Sequence, residues 1–273
     1  MTKNLLKEIM NKETVKKLPE NSFSVEGLIQ KLESGYTINN VPKFQQKKTF
    51  APSTLSWNHG ECPRYWYLAF DGATFEDNSN AFGVANRTNG TLSHSRIQDA
   101  MIKSGIAKVF KDDDGNDTTE FKIISNDPPV FGYGDGIIVW NDEEILTEIK
   151  TMSNEAFEYK KNSRKPKKDH LMQILIYMKI LNKKRAVLIY ENKNNHELMV
   201  IPVEVNDYYR SYIDQTFEWM RQVRQAWKNR TLPQKNYRSN SKICKQCPIQ
   251  KTCTEAEEGT IKIKSLEGLS EDM

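Results

Sequence analysis

Four cysteines occupy only two places in this chain: Cys62, in Glu61-Cys62-Pro63-Arg64, and the trio Cys244, Cys247 and Cys253 near the other end. A fold that uses them as one set must clasp those two places together and close most of the chain into a loop. In a reducing compartment such cysteines are metal or cluster ligands before they are cystines, although an exported chain could pair them as disulfides. Met1-Thr2-Lys3-Asn4 runs into a mixed charged and apolar segment without a secretory apolar run, and no stretch has the apolar length to span a bilayer. The expectation is therefore a cytoplasmic protein that makes no use of a membrane.

A chain of 273 residues, 37% hydrophobic and 10% aromatic, can bury a sizeable core in one large domain or one domain with an appended lobe. It does not need disulfide staples to fold. The net charge of +4 is mild, but its distribution is not even: residues 254–273 hold six acids against two lysines, leaving +8 on the remaining body. Lys160, Lys161, Arg164, Lys165, Lys167 and Lys168 form one dense basic run, read as a loop tracking phosphates. A solvated surface loop is the plain alternative.

Residues 1–50 read as an N-terminal extension of short amphipathic pieces, around Leu5, Leu6 and Ile9 and from Val25 to Leu32, joined onward by a polar connector from Gly35 to Lys48. A helix is expected from Ser53 to near Gly60, with Tyr65-Trp66-Tyr67-Leu68 packed behind Cys62, and a second from Thr91 to Ser104, with Gly90 before it. The apolar period then changes to two, predicting strands at Phe121–Ser125, Ile137–Trp140 and Ile145–Ile149, with Asn141-Asp142 as the turn between the last two. A helix over Asp169–Leu181, strands at Arg185–Glu191 and Leu198–Val203, and a long helix over Asp207–Asn229 follow. This order predicts an α/β fold, a mixed central sheet flanked by helices.

Within that sheet, Glu148 and Lys150 project from the same side of their strand. If Asn141 and Asp142 form a two-residue hairpin loop, the ladder carries Asp135 opposite Glu148, with Cβ atoms roughly 4.5 to 5.5 Å apart. Two carboxylates so close repel unless a divalent cation lies between them, and hard oxygens suit magnesium or manganese. Gly132, Gly134 and Gly136 suggest space around Asp135 for an ion or a close phosphate. Lys150 supplies a cation that can orient water or offset charge on phosphorus oxygens. Glu-x-Lys alone decides nothing, because it is common by chance. His170, Gln173 and Tyr177 add a polar stripe on the next helix, which needs partners if that helix is buried. His94, on the helix with Ile97 and Met101, is in isolation more often a packed core residue than a ligand.

Taken in order, Gly90 to Gln98 with His94, Gly134-Asp135-Gly136, Glu148-Ile149-Lys150 and Gln173-x-x-x-Tyr177 resemble the RecB-like branch of the PD-(D/E)XK nucleases, over roughly residues 53–253. The resemblance implies a restriction-endonuclease-like core. It also implies that His94, Asp135, Glu148 and the Ile149 carbonyl hold the metal, that Lys150 assists the nucleophile, and that Gln173 and Tyr177 position Lys150 or a substrate phosphate. Gly134 replaces the proline of the family pattern, a departure common in this branch.

The spacing Cys244-x-x-Cys247 with Cys253 beyond it puts three thiolates together, and Cys62 is the only cysteine left for a fourth position. Four thiolates suit zinc or an iron–sulfur cluster, and spacing alone does not separate them. The isolated cysteine, the terminal C-x2-C-x5-C and the two Cys-Pro steps resemble the iron–sulfur subgroup that includes AddB and the CRISPR-adaptation exonucleases, which implies a structural [4Fe-4S] cluster with zinc as the alternative. The implied chain is an extension (1–50), a nuclease domain (51–253) and an acidic tail (254–273). The implied activity is a magnesium- or manganese-dependent exonuclease on single-stranded DNA or DNA ends, 5′-to-3′ by family. Its partners would belong to recombination, replication or CRISPR adaptation, in the host cytoplasm if the chain is phage-encoded. The rival is a nucleic-acid-binding or assembly subunit of the same fold with weak catalysis.

Overall fold

The computed structural model describes residues 24–266; the pieces expected around Leu5, Leu6 and Ile9 and the last acidic residues lie outside that range. Helix α1 (Val25–Thr37) starts at Ser24, whose hydroxyl accepts from the Gly27 amide at 3.0 Å. The expected connector then contains a strand, β1 (Lys43–Gln45), paired antiparallel with β2 (Ala73–Phe75). Phe44 explains the departure from a plain polar connector. Its ring lies over Gly72, which has φ +102° and whose added Cβ would stand 2.8 Å from the ring, so backbone pairing and ring contact fix the segment together.

The helix expected from Ser53 to Gly60 divides into α2 (Pro52–Leu55) and a 3-10 turn (Asn58–Glu61). Gly60 causes the break: its backbone presses on Thr54 and Leu55 so closely that a Cβ has no room, an approach a continuous helix does not make. Helix α3 (Pro63–Asp71) begins on a proline, whose missing amide is no loss in a first turn. It buries nearly every side chain it has, and the Trp66 indole donates to the Gly60 carbonyl at 2.7 Å. Phe50 packs on Trp66 and Phe70 with ring centroids 4.8 and 4.9 Å away, so the aromatic run behind Cys62 forms a core, as its composition predicts.

Helix α4 (Ala81–Lys103) begins at Ala81 rather than Thr91 because Asn80 caps it, accepting from the Gly83 amide at 2.9 Å. Gly90 is therefore inside the helix. A mid-helix glycine is unfavourable by only about 1 kcal/mol, too little to end a helix that is capped and packed elsewhere. The short strands β3 (Phe110–Lys111) and β4 (Asp117–Thr118) pair with each other, as do β5 (Phe121–Asn126) and β6 (Pro129–Gly134).

The central sheet follows: β7 (Gly136–Trp140), β8 (Glu143–Met152), β9 (Arg185–Asn192) and β10 (Leu198–Glu204), in the order β10-β9-β8-β7. Strands β8 and β9 are parallel and the other pairs antiparallel, so the sheet is mixed. The parallel pair is joined through α5 (Asn154–Ser163) and α6 (Lys168–Ile180), the long crossover that parallel strands require. Alternation along β8 and β9 then separates two cores. Ile149 and Ile189 pack with Ile97 and Met101 of α4, whereas Leu146, Leu188 and Tyr190 belong to the larger core with α6 and the long helix α7 (Asp207–Lys228). The molecule is thus an α/β fold with a mixed central sheet flanked by helices.

Two short helices, α8 (Lys242–Lys245) and α9 (Gln250–Glu255), follow α7. Of the expected acidic tail, residues 254 and 255 instead complete α9, and residues 256–266 lie against the body: Ile263 and Leu266 are buried, and the Trp219 indole donates to the Lys264 carbonyl at 2.8 Å. Among the described residues no helix is long and apolar enough to cross a membrane.

Candidate functional site

The hairpin between β7 and β8 sets the site. Asn141 and Asp142 both adopt left-handed backbone, with φ of 49° and 64°, the conformation of a two-residue turn that matches strand twist. Pairing runs from Trp140 with Glu143 to Gly136 with Thr147, the register such a turn predicts; Asp135 follows just outside the ladder, near enough for its charge to act on Glu148. Asp135 is held at several atoms. Its Oδ2 accepts from the Ile149 amide at 2.6 Å, and its carbonyl accepts from Thr119 Oγ1 at 2.6 Å and Gln98 Nε2 at 3.0 Å. His94 Nδ1 reaches its Oδ1 at 3.3 Å.

Glu148 is 1% exposed. Its Oε1 accepts from Gln173 Nε2 at 2.7 Å and from Lys150 Nζ, while its Oε2 is buried without a partner. Burial first, then the charge of Asp135, pushes the carboxyl up to about 7, with Lys150 acting the other way. For Lys150, burial favours the neutral amine, but the charges of Glu148 and Asp135 outweigh it and raise its pKa, so it remains an ammonium ion. Burial likewise lowers His94, and the bond and charge of Asp135 more than restore it, leaving it above the ordinary histidine value. These groups therefore act on one another electrostatically, from one helix and two adjoining strands.

Among the described residues, no three His, Cys, Asp or Glu side chains stand in a metal-holding arrangement. The acids instead receive donors from the chain itself, Lys150 on Glu148 and the Ile149 amide on Asp135. The donor set still suits a hard divalent cation: two close carboxylates, an imidazole, and an orphaned buried carboxylate oxygen.

The space expected beside the glycines is filled by protein. A Cβ on Gly132 would stand 2.5 Å from Tyr177 Oη, one on Gly134 2.9 Å from the Phe121 ring, and one on Gly136 3.1 Å from Met101 Cε. These glycines admit side chains, not an ion. The polar stripe of α6 also divides. Gln173 holds Glu148, and Tyr177, 2% exposed and packed against Gly132, interacts with Gln173 and feels the charges of Glu148 and Asp135. His170 Nδ1 meets Tyr190 Oη at 3.2 Å, and that oxygen accepts from the Lys167 amide at 3.1 Å. Burial, then Lys150, holds His170 well below the ordinary histidine value.

The basic run is not one loop. Ser153 caps α5, Phe157 buries its inner face, and the helix carries Lys160 and Lys161 in its last turn before Arg164 ends it at φ 54°. Lys161 pairs with Glu197 at 2.6 Å, Lys167 pairs with Asp169 at 3.2 Å, and Lys160 lies 5.3 Å from the Tyr159 ring centroid. Lysines in a last turn complement the helix dipole, which favours this placement over an open loop. Lys165 lies in the connection and Lys168 opens α6.

The four cysteines, all free thiols, line one cavity. Cys62 precedes α3, Cys244 lies in α8, Cys247 just after it, and Cys253 in α9. Burial first, then the neighbouring sulfurs, pushes Cys62 up to about 11 and Cys247 up to about 12. Such mutual repulsion keeps thiols protonated until a cation offsets it. Among the described residues the four sulfurs share a cavity without standing in a metal-holding arrangement; by chemistry alone, four thiolates would suit zinc or an iron–sulfur cluster. Arg64, fully buried beside them, is marked by no motif; its one sequence signal is a single charge between Cys62-Pro63 and the aromatic run Tyr65-Trp66-Tyr67.

No family model matches the chain, and no curated protein matches it. Among solved structures, LHK-Exo in complex with dAMP is similar at 14% identity, over 66% of this chain and 90% of that one, with a TM-score of 0.47. The alkaline exonuclease LHK-Exo from Laribacter hongkongensis matches at 13% over 66% and 90%, with a TM-score of 0.46. The structure of SSO0001 matches at 16% over 88% and 99%, with a TM-score of 0.40.

Proposed function

We propose that this chain is a metal-dependent DNA nuclease of the RecB-like PD-(D/E)XK type, an exonuclease acting on single strands or DNA ends, whose four cysteines hold a structural [4Fe-4S] centre. The observation that carries the reading is Glu148: a fully buried carboxylate with one unpartnered oxygen, beside Asp135 and in contact with Lys150. Such a group is unfavourable for stability unless something compensates it, and a bound cation would do so. His94, Asp135, Glu148 and the Ile149 carbonyl are the residues that would hold magnesium or manganese, which when bound polarises the phosphodiester and makes water a better nucleophile.

The chain's own residues do the rest. Gln173 anchors Glu148 and the Ile149 amide anchors the Asp135 carboxylate, while the Lys150 contact on Glu148 and the His94 contact on Asp135 would give way to a bound cation. Lys150 remains an ammonium ion at neutral pH, so its role is to orient the attacking water and offset charge on the phosphorus oxygens rather than to accept a proton at rest. Attack in line breaks the bond to the 3′-oxygen. Basic residues at the end of α5 and in the connection after it supply phosphate contacts without base readout.

Incubating end-labelled single-stranded and duplex DNA with manganese, beside Lys150→Ala, tests the reading. Wild-type should shorten the DNA and the variant should not. Equal degradation by both rejects this site, and binding without cleavage favours the assembly-subunit alternative. Visible absorbance with matched iron and sulfide is expected for the thiol centre; a colourless protein with stoichiometric zinc replaces the cluster by zinc.

A further inference from the structure

Arg64 is fully buried at the thiol cavity. A guanidinium is charged at any physiological pH and cannot escape burial by losing a proton. Its Nη1 donates to the Pro233 carbonyl at 2.9 Å, and its Nη2 to the Glu257 carbonyl at 2.6 Å and, at longer range, to Ala256 at 3.4 Å and Cys253 at 3.5 Å. Its Nε points to Cys253 Sγ at 3.3 Å. Every partner but the sulfur is a neutral carbonyl, and no carboxylate among the described residues forms an ion pair with it. A buried cation without an anion is strongly unfavourable. The one contact of Arg64 that is not a carbonyl is the Cys253 sulfur, and three more sulfurs line the same cavity.

We propose that Arg64 is the counter-charge of the four-thiolate centre and a latch, coupling occupancy of that centre to the seating of residues 256–266 on the body. The proposal rests on the reading of the four cysteines as a metal or cluster site. The same guanidinium that faces sulfur through Nε grips the start of this segment through Nη2 and the loop beneath it through Nη1. Farther along, the segment runs beside that loop: Gln234 donates to the Ile261 carbonyl at 2.8 Å and Thr260 to the Leu232 carbonyl at 2.9 Å. A Cβ on Gly259 would collide with Pro233, so the two backbones are in direct contact. The Leu266 amide then donates to the Glu61 carbonyl at 2.9 Å, one residue before Cys62. The segment thus leaves one thiol ligand and returns beside another. With the centre occupied, the guanidinium faces its negative charge and its donors hold the segment; with the centre empty, it is drawn toward water and its carbonyl partners are released.

The test compares wild-type, Arg64→Gln, Arg64→Lys and Cys244→Ser by elemental analysis, release of metal to a chromophoric chelator, and hydrogen exchange of residues 256–266. Arg64→Gln should release metal about 10- to 100-fold faster, the range for loss of an outer partner of a metal ligand, with Arg64→Lys in between. Cys244 is not a partner of Arg64, yet Cys244→Ser should speed exchange across 256–266; this arm decides the matter if Arg64→Gln does not fold. Wild-type-like metal retention in Arg64→Gln, or unchanged exchange in Cys244→Ser, overturns the proposal. A wild-type protein that binds no metal overturns the thiol-centre reading itself, and this proposal with it; metal in wild-type and an unaffected Arg64→Gln overturn the latch alone.

Discussion

If Glu148 is a cation ligand as proposed, it is the residue at which stability and function oppose each other. Its ordinary carboxyl value lies well below the value of about 7 it has here, raised chiefly by burial and then by Asp135. Between those values the folded state binds the proton that the unfolded state has lost, so stability falls as pH rises through that window. Metal-free protein should therefore melt at lower temperature at pH 8 than at pH 5.5 through this site, and manganese should raise the melting temperature more at pH 8. An equal manganese response at both pH values would remove Glu148 as a ligand. Glu148→Gln keeps the contact with Gln173 and deletes the buried charge. At pH 8 without divalent ions it should be more stable than wild-type by about 1–3 kcal/mol, while losing DNA cleavage and the manganese response. Calorimetry beside the cleavage assay measures both, and a variant less stable than wild-type would show that Lys150 already compensates the charge.

At the scale of elements, β6 and α6 form one unit through Gly132, whose missing Cβ is where Tyr177 lies. Gly132→Ala must push the tyrosine along α6 toward Gln173 and the carboxylate it holds. The expected result is a loss of about 1–3 kcal/mol in stability, as for overpacking, and about 10- to 100-fold in cleavage from misplacement of the site. A stable variant with a cleavage rate equal to wild-type would separate this contact from the site. The same element shows what sequence reading can and cannot reach. Strands β7 to β10 are legible because alternation or short apolar runs mark them, and the Asn141-Asp142 turn fixes the register that brings Asp135 near Glu148. Strand β6 is not, because Pro129, Gly132 and Gly134 read as turn residues until the side chains that replace their missing Cβ atoms are seen. The first turns of α4 are hidden for a related reason, since Gly90 reads as a boundary when Asn80 is the cap. The partners of Gln173 and the ion pairs of the basic run depend on contacts between distant elements, which periodicity does not encode.

For the whole molecule, the thiol centre joins the two ends of the larger core. Cys62 precedes α3 in that core, and the trio lies beyond α7, so a metal shared as proposed would close a loop around the sheet and both crossover helices. In the chain-entropy account, a cross-link of this span stabilises the fold by about 5 kcal/mol, comparable to the whole stability of a modest domain. The candidate cation site does not share these ligands: His94, Asp135, Glu148 and Lys150 are held by Thr119, Gln98, Gln173 and the Ile149 amide, none of which lines the thiol cavity. Removing the centre should therefore lower the temperature at which the site survives without altering the site while the chain is folded. Cys247→Ala should lose sulfur-to-metal absorbance and melt well below wild-type. Near 10 °C, with manganese, it should still cleave DNA within a few-fold of wild-type, and that activity should disappear on warming at the same temperature as the circular-dichroism signal. If cleavage were instead absent in the cold while the circular-dichroism spectrum stayed native, the centre would take part in the reaction or in gripping DNA, and a purely structural role would be excluded.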